Sequence, residues 1–491
     1  MLSTVQSLAI PLLIGLLAAA AALPLAWWLS RTAPRRFNSL IAPICVMMMM
    51  PPYLAFAGWS LLRAPGSWLG DHLAAAPAWL NLGFSQALAI LGLALWSSPL
   101  AVITLTPACR AIERQRLESL RLDGAGFVRT SALVLWWLRP ALTLATAAVA
   151  LLMVGSAVPL HLAQFRTISI ELWSSLMLRP AWPTVLEAWP VILLALAAGW
   201  LISRAALRAA PDDPHTTTLP PRPSATTRLS GALGLCLWLA GTVVPLLLFA
   251  RVTPAWPLTL ASVQRVLPAF GNSLFTAAIL MATILALGCL TSAATHAGGT
   301  LRRIASVALG FLIITSVLPG VLIGMILRLL ASDIGRAIGF QPNDDALLLL
   351  AHALRFGIIP VATAWWLWAS QPQSLKDTYA LDTAGTRATI RNSAASPSTA
   401  HTTLRAWTIT HARTEIPTLI FASLACGMLS LHEIEAAIML QSPGSGTLSQ
   451  RVLDLLHYNR DTDLASIATI LIGSSLALSL LAALLVGKRK R

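Results

Sequence analysis

Charged residues are scarce in this chain. Asp, Glu, Lys and Arg make up 11% of its 491 residues, whereas a soluble globular protein averages roughly 25%. Hydrophobic residues make up 56%, and apolar runs of about 20 residues, each long enough to cross a bilayer as a helix, recur along the chain. The scarcity of charge excludes an ordinary soluble domain and indicates an integral membrane protein.

Paired cysteines and a nucleotide-binding motif are also missing. The five cysteines are scattered in or beside apolar runs, so we interpret them as small buried hydrophobic residues rather than metal ligands or redox pairs. No phosphate loop of the form G-x-x-x-x-G-K-[ST] occurs. We therefore expect no ATP hydrolysis, no cofactor and no metal site in this chain.

The net charge of +15 is better explained by membrane orientation than by nucleic-acid binding. The basic residues lie in short connections beside apolar runs, and a nucleic-acid protein needs a basic face on a soluble domain. If the C-terminus is cytoplasmic, most of the Lys and Arg fall on the inner side, as the positive-inside rule requires. The N-terminus is then outside, and the first apolar run is expected to be retained because no basic segment precedes it.

We predict an all-α polytopic membrane protein with about eleven transmembrane helices. Helices are expected because backbone groups in lipid must be satisfied within the segment. The predicted runs are Leu8–Trp28, Leu40–Leu62, Phe84–Pro107, Leu142–Leu160, Val185–Ser203, Gly231–Ala250, Asn272–Thr291, Ile304–Leu330, Ala346–Trp368, Ile416–Ala437 and Leu464–Val486.

The chain contains an internal duplication. Two polar loops, Glu118–Gly126 and Asp377–Gly385, follow apolar runs with a central proline, and the proline-led turns after Met50 and Leu318 occupy equivalent positions. A proline- and threonine-rich linker at 206–229 separates a first unit, 1–205, from a second, 230–491. We predict five core helices in each unit and one extra leading helix in the second, so that both loops are cytoplasmic.

The first loop resembles the cytoplasmic signature of ABC importer permeases, E-A-A, three residues, G, nine residues, I-x-L-P. Glu118 stands at the Glu, Ser119 and Leu120 at the two Ala, and Gly124 at the Gly, whereas Trp136 and Trp137 replace the final Leu-Pro. In the second loop only Leu381-Asp382 and Ala384-Gly385 match the first. The predicted coupling residues are Glu118, Ser119, Leu120, Asp123, Gly124, Ala125 and Gly126 in the first loop and Asp377, Thr378, Tyr379, Leu381, Asp382, Ala384 and Gly385 in the second.

The resemblance implies a binding-protein-dependent importer with both permease units fused in one chain, in a bacterial inner membrane. Its partners would be two copies of a separate ABC ATPase, which holds ATP and Mg²⁺, and an extracytoplasmic solute-binding protein. Each loop would contain a short helix that inserts into the ATPase. The plain alternative is that the loop charges only set topology.

The segment Gln441–Tyr458, preceded by Ser430–Glu435, resembles ferric-iron permeases, with thiamine permeases as near relatives. Iron is therefore the expected cargo, with thiamine, phosphonate, polyamine or another small solute as alternatives. Glu433 and Glu435 are candidate outer-face or pathway residues. We expect them to be hydrated at a helix end rather than to bind metal directly, although carboxylates with His432 and His161 have suitable chemistry for iron.

Two other classes of protein remain open. An ion-coupled secondary carrier is also built from repeats, but it needs carboxylates deep in the membrane, and the predicted helix centres hold almost none. A lipid-linked transferase or hydrolase needs a compact acid–base cluster, and none stands out. The Ser/Thr/Ala-rich insertion after Gly385 is interpreted as a tolerated loop, and deletion of Ile390–Thr402 is expected to leave transport largely intact.

Overall fold

The computed structural model describes residues 2–32, 37, 40–41, 43–44, 48, 50–64, 66–176, 181–208, 225–297, 299–339, 342–369, 371, 376, 381, 407–408, 412–440, 446–458, 460 and 462–473. These residues are helical or lie in turns, with no strand among them. The helices up to residue 208 are α1 (Leu2–Ser30), α2 (Pro52–Ser60), α3 (Trp68–Ala74), α4 (Ala78–Ala111), α5 (Arg114–Leu122), α6 (Phe127–Val154), α7 (Ala157–Leu162), α8 (Ile168–Leu176), α9 (Ala181–Glu187) and α10 (Trp189–Arg208).

The helices after residue 224 are α11 (Ala225–Val252), α12 (Trp256–Ala297), α13 (Gly299–Val317), α14 (Gly320–Ile338), α15 (Asp344–Phe356), α16 (Ile358–Ala369), α17 (Ala412–Leu431), α18 (Glu435–Leu440), α19 (Leu448–His457) and α20 (Thr462–Gly473). Most of the predicted linker, 209–224, lies outside the described residues.

Seven helical segments within the described residues are long and apolar enough to span a membrane, which is consistent with a polytopic membrane protein. They are Val5–Ser30, Ala78–Ala111, Phe127–Val154, Ala225–Val252, Leu258–Ala297, Gly299–Val317 and Asp344–Ala369. Shorter apolar helices occupy Trp189–Leu201, Glu415–Leu431 and Thr462–Gly473. These ten segments overlap ten of the predicted runs. The run Leu40–Leu62 is described only in part and holds α2, so the count of eleven stays a prediction.

Several predicted boundaries differ from the helices observed. α6 begins at Phe127, well before the predicted Leu142, and it holds Arg139 and Pro140 inside the helix; the Arg139 guanidinium lies 3.6 Å from the centre of the Trp136 ring. α12 likewise begins at Trp256, well before the predicted Asn272. The run Ile304–Leu330 is divided between α13 and α14, because the backbone at Pro319 is extended. Proline disfavours helical geometry in the residue before it, which favours a break at this point.

The chain divides by contacts into two compact units. Unit 1 comprises Met1–Glu171, Thr217–Val266 and Val452–Arg491, and unit 2 comprises Leu172–Thr216 and Leu267–Arg451. Each unit therefore takes segments from both sequence halves. The boundaries predicted from the duplication, 1–205, 206–229 and 230–491, describe the sequence repeat and stay a prediction.

Unit 1 is built around α1, which packs against α4, α6 and α11. Alanines supply much of the buried face of α1, and small residues let helix backbones approach closely. A Cβ atom on Gly234 of α11 would lie 2.5 Å from the backbone nitrogen of Leu25 in α1, and one on Gly15 of α1 would lie 2.4 Å from the carbonyl of Thr146 in α6. Glycine is required at these contacts because no side chain fits between the helices.

Unit 2 contains the main part of α12 together with α13 to α18, and also α9 and α10. α10 packs on α13 at Gly199, where a Cβ atom would lie 2.4 Å from the side chain of Ile314. α14 packs on α18 at Gly324, close to Ala436 and Met439. This second contact places the start of α18 beside the start of α14.

Candidate functional site

The first loop contains a short helix, α5, that ends in a sharp turn. Gly124 has a φ of +72°, a left-handed conformation that glycine adopts readily and other residues avoid. The amide of Ala125 donates to the carbonyl of Leu120 at 2.9 Å, which is the hydrogen bond of a Schellman cap. The glycine of the loop signature is thus required by the backbone that ends α5.

Large apolar side chains are exposed at the end of α5 and at the start of α6, which follows the loop. Leu122, at the end of α5, is 88% exposed, and the first two residues of α6, Phe127 and Val128, are 76% and 80% exposed. The predicted coupling residues Glu118, Ser119, Asp123, Gly124 and Gly126 are exposed, and Leu120 and Ala125 are partly exposed. Apolar side chains beside carboxylates on an exposed turn are typical of a surface that binds another protein.

A guanidinium group joins this loop to α1. Arg31, directly after α1, donates to the carbonyl oxygens of Cys109 at 3.4 Å and Ile112 at 3.1 Å. These carbonyls lie at the end of α4, where helix carbonyls lack partners within the helix and a positive charge is favourable. The end of α4 that leads into the first loop is therefore fixed to α1.

The second loop is described only at single positions. Leu381 is helical and 75% exposed. The Lys376 ammonium group donates to the carbonyl of Ala369 at 3.3 Å and lies 4.7 Å from the centre of the Trp368 ring, so it caps the end of α16. The other predicted coupling residues, Asp377, Thr378, Tyr379, Asp382, Ala384 and Gly385, lie outside the described residues, as does the insertion that follows them.

A buried carboxylate, Glu415 in the first turn of α17, lies where the second loop returns to the helices. It is 2% exposed. Its oxygens accept hydrogen bonds from the Ser292 hydroxyl, from the Trp407 indole at 3.4 Å and from the Gln371 amide at 3.4 Å. The His296 Nε2 lies 3.3 Å from the carboxylate oxygen that Gln371 contacts. We name Glu415 and these four side chains the Glu415 cluster.

A second charged cluster lies at the start of α14 and α18. The Arg355 guanidinium is 2.6 Å from a Glu433 oxygen and 3.3 Å from a Glu435 oxygen. The amide of Ala436 donates to Glu433 at 3.1 Å, and the amide of Gly320 donates to Glu435 at 3.2 Å. The three charged side chains, Arg355, Glu433 and Glu435, form what we name the Arg355 triad.

The expectation that water solvates the two carboxylates is wrong. The side chains of Glu433 and Glu435 are 7% and 6% exposed, and that of Arg355 is 12% exposed. Burying a carboxylate is unfavourable unless a counter-charge and hydrogen-bond donors accompany it, and the triad supplies both. One guanidinium group thus faces two carboxyl groups.

A matching contact occurs in both sequence halves. Near the start of α1, the Ser7 hydroxyl accepts a hydrogen bond at 2.8 Å from the amide of Ile168, the first residue of α8. Within α12, the Ser273 hydroxyl accepts one at 2.8 Å from the amide of Leu448, the first residue of α19. The turns before α2 and α14 also share a backbone conformation, with φ and ψ of −56° and 136° at Pro51 and −55° and 140° at Pro319. These equivalences support the internal duplication.

The histidines considered as iron ligands are separated. His161 is near His457, with ring centres 6.4 Å apart; burial, and to a smaller extent this neighbouring imidazole, lower the pKa of His161 below its ordinary value. His432 is buried beside Glu433 in the sequence. Within the described residues no group of three or more His, Cys, Asp and Glu side chains is arranged to hold a metal ion.

Sequence reasoning missed Arg355 and Glu415. Arg355 stands inside the predicted run Ala346–Trp368, and a charged residue within a membrane segment is expected to have a partner in the protein. Glu415 directly precedes the run Ile416–Ala437, and nothing in the sequence distinguishes it from an ordinary acidic residue before an apolar run. Their partners are far away in the sequence, so only the fold identifies them.

The comparisons with known proteins give no relative for this chain: no family model, no curated protein and no solved structure matches it.

Proposed function

We propose that this chain is the fused, two-unit permease of an ATP-driven, binding-protein-dependent ABC importer in a bacterial inner membrane. The observation that carries the proposal is the first loop. It presents α5 and exposed Leu122, Phe127 and Val128 beside Glu118, and it is fixed to α1 through Arg31. An exposed, firmly held helix of this kind is suited to insertion into a groove of a partner.

The duplication supports a pair of docking sites. The second loop follows α16 as the first follows α4, and a cation caps the preceding helix in each case, Arg31 in one half and Lys376 in the other. Two ATPase subunits that close on ATP would draw both loops together. The helices joined to the loops would then carry this movement to the outer side as alternating access.

Ferric iron is the proposed cargo, on the resemblance of 430–458 to iron permeases. In this reading a soluble binding protein delivers the cargo outside, and the chain itself binds neither ATP nor a resident metal. The N-terminus lies outside and the C-terminus in the cytoplasm, as the distribution of basic residues favours. Thiamine, phosphonate, polyamine and other small solutes are the alternative cargoes.

Affinity purification from the native membrane in mild detergent tests the proposal. Co-purifying chains are identified and counted by mass spectrometry. We expect two copies of a nucleotide-binding subunit with the wild type, and loss of that subunit with the double variant Glu118→Lys, Gly124→Pro. Glu113→Lys is the matched control, because it reverses an exposed acid just before α5 but outside the signature. Absence of any nucleotide-binding subunit from the wild type would overturn the assignment.

An ion-coupled secondary carrier is the second candidate, and the Arg355 triad is the observation that favours it. Buried charged residues within membrane helices are typical of ion and proton pathways, and sequence reasoning had found almost none. Such a carrier would transport its substrate in liposomes containing only this chain and an imposed proton gradient. The importer would be inactive under these conditions.

A further inference from the structure

The Glu415 cluster connects three separate parts of unit 2. Ser292 and His296 belong to α12, Glu415 belongs to α17, and Gln371 and Trp407 lie before and after the second loop. A single carboxylate therefore contacts side chains at both ends of the loop and at the end of α12.

The centre of the cluster is buried, and Glu415 accepts several hydrogen bonds there. Trp407 is 3% exposed, and its indole donates to Ser292 at 3.0 Å as well as to Glu415. Ala293 and Ala412 pack around the indole ring, with Cys289 and Ile416 beside them. Glu415 lies in the first turn of α17, where amide groups of the helix favour a negative charge. Removing the Glu415 carboxylate would leave the Ser292 hydroxyl and the Gln371 amide without this acceptor, whereas the Trp407 indole would keep Ser292.

We propose that Glu415 is a positioning residue for the second ATPase-docking loop. It fixes both ends of that loop to α12, so that the exposed Leu381 is presented to the partner although the loop sequence departs from the signature and carries an insertion. This inference rests on the proposed function. It assigns to α12 the part that α1 has in the first half, where Arg31 holds the loop.

The attachment to α12 also links the second loop to α19. The same helix holds Leu448 of α19 through Ser273, and Ser273 and Ser292 are about 28 Å apart along the helix at 1.5 Å per residue. A movement of the second loop would reach α19 through this one helix.

Site-specific photocrosslinking tests the inference. Leu381→p-benzoylphenylalanine and, in a separate chain, Leu122→p-benzoylphenylalanine are placed in the wild type and in Glu415→Ala, each co-expressed with the nucleotide-binding subunit found by purification. In Glu415→Ala we expect the crosslink from position 381 to fall about tenfold, because a charged hydrogen-bond acceptor is lost. The crosslink from position 122 should stay unchanged. Glu187→Ala, which removes an exposed acid of unit 2, is the control and should alter neither crosslink.

Trp407→Phe is the second variant, since it removes only the indole donor and keeps an aromatic ring. It should lower the crosslink from position 381 several-fold. If Glu415→Ala does not fold, this variant tests whether the cluster positions the second loop. An unchanged 381 crosslink would overturn the inference and leave the importer assignment intact. An equal fall of both crosslinks would also overturn it, because Glu415 would then support only the general fold. Absence of both crosslinks in the wild type would instead refute the proposed function.

Discussion

Arg355 offers the sharpest test of the buried electrostatics. Arg355→Met replaces the guanidinium by an apolar side chain of similar length and removes the counter-charge that Arg355 supplies to Glu433 and Glu435, whose side chains are 7% and 6% exposed. Removing one partner of a buried ion pair costs about 3–5 kcal/mol. For a unit of 150–250 residues this corresponds to a fall in Tm of about 6–20 °C.

Thermal unfolding of the purified protein in detergent, followed by the loss of the monodisperse peak, measures the change. Arg336→Met is the matched control: its guanidinium contacts Asp333 on the surface, and an exposed pair contributes about 1 kcal/mol at most. The triple variant Arg355→Met, Glu433→Gln, Glu435→Gln should recover most of the loss, because a neutral cluster leaves no uncompensated charge. The reasoning is refuted if Arg355→Met is no less stable than Arg336→Met.

Three further predictions concern the helix contacts, the first loop and His161. Gly234→Ala should lower Tm by several degrees, since overpacking against the α1 backbone costs about 1–3 kcal/mol, whereas Gly83→Ala, with nothing within 4 Å of its Cβ, should not; equal Tm values would contradict the contact. Gly124→Ala should weaken co-purification of the nucleotide-binding subunit, because a non-glycine residue at positive φ costs about 1–2 kcal/mol; undiminished binding would show that the turn is not needed. The pKa of His161 is lowered in the folded protein, so the folded state binds fewer protons than the unfolded state and loses stability as pH falls below about 6.5. His161→Phe should therefore reduce the difference in Tm between neutral and mildly acidic solution. An undiminished difference in this variant would assign the pH dependence to other groups.

The helical, membrane-spanning character could be predicted from the sequence, because it depends on local properties. A run of apolar residues must form a helix to satisfy its own backbone in lipid, and the short helix before Gly124 follows from a polar segment ending in a glycine turn. The first and last residues of individual helices were harder to predict. α6 begins at Phe127 and includes Arg139 and Pro140, a charged residue and a proline that a hydropathy pattern places at the edge of an apolar run.

The buried charges could not be predicted because they depend on pairing between distant residues. Arg355 meets Glu433 across 78 residues, and Ser292 meets Glu415 across 123. Without the fold, Glu433 and Glu435 look like hydrated residues at a helix end, and Glu415 looks like an ordinary acid before an apolar run. The glycine turn of the first loop and the short helix α5 are adjacent in the sequence, so both could be predicted from the sequence alone.

The most direct test of the central claim is transport by the purified complex in liposomes. Liposomes containing this chain and its nucleotide-binding subunits receive ferric iron on the soluble binding protein at the outer face of the chain, with ATP on the nucleotide-binding side. The account predicts uptake that requires ATP hydrolysis and that is lost with Glu118→Lys, Gly124→Pro. Uptake driven by a proton gradient alone, without ATP and without the nucleotide-binding subunit, would contradict it and establish the secondary carrier.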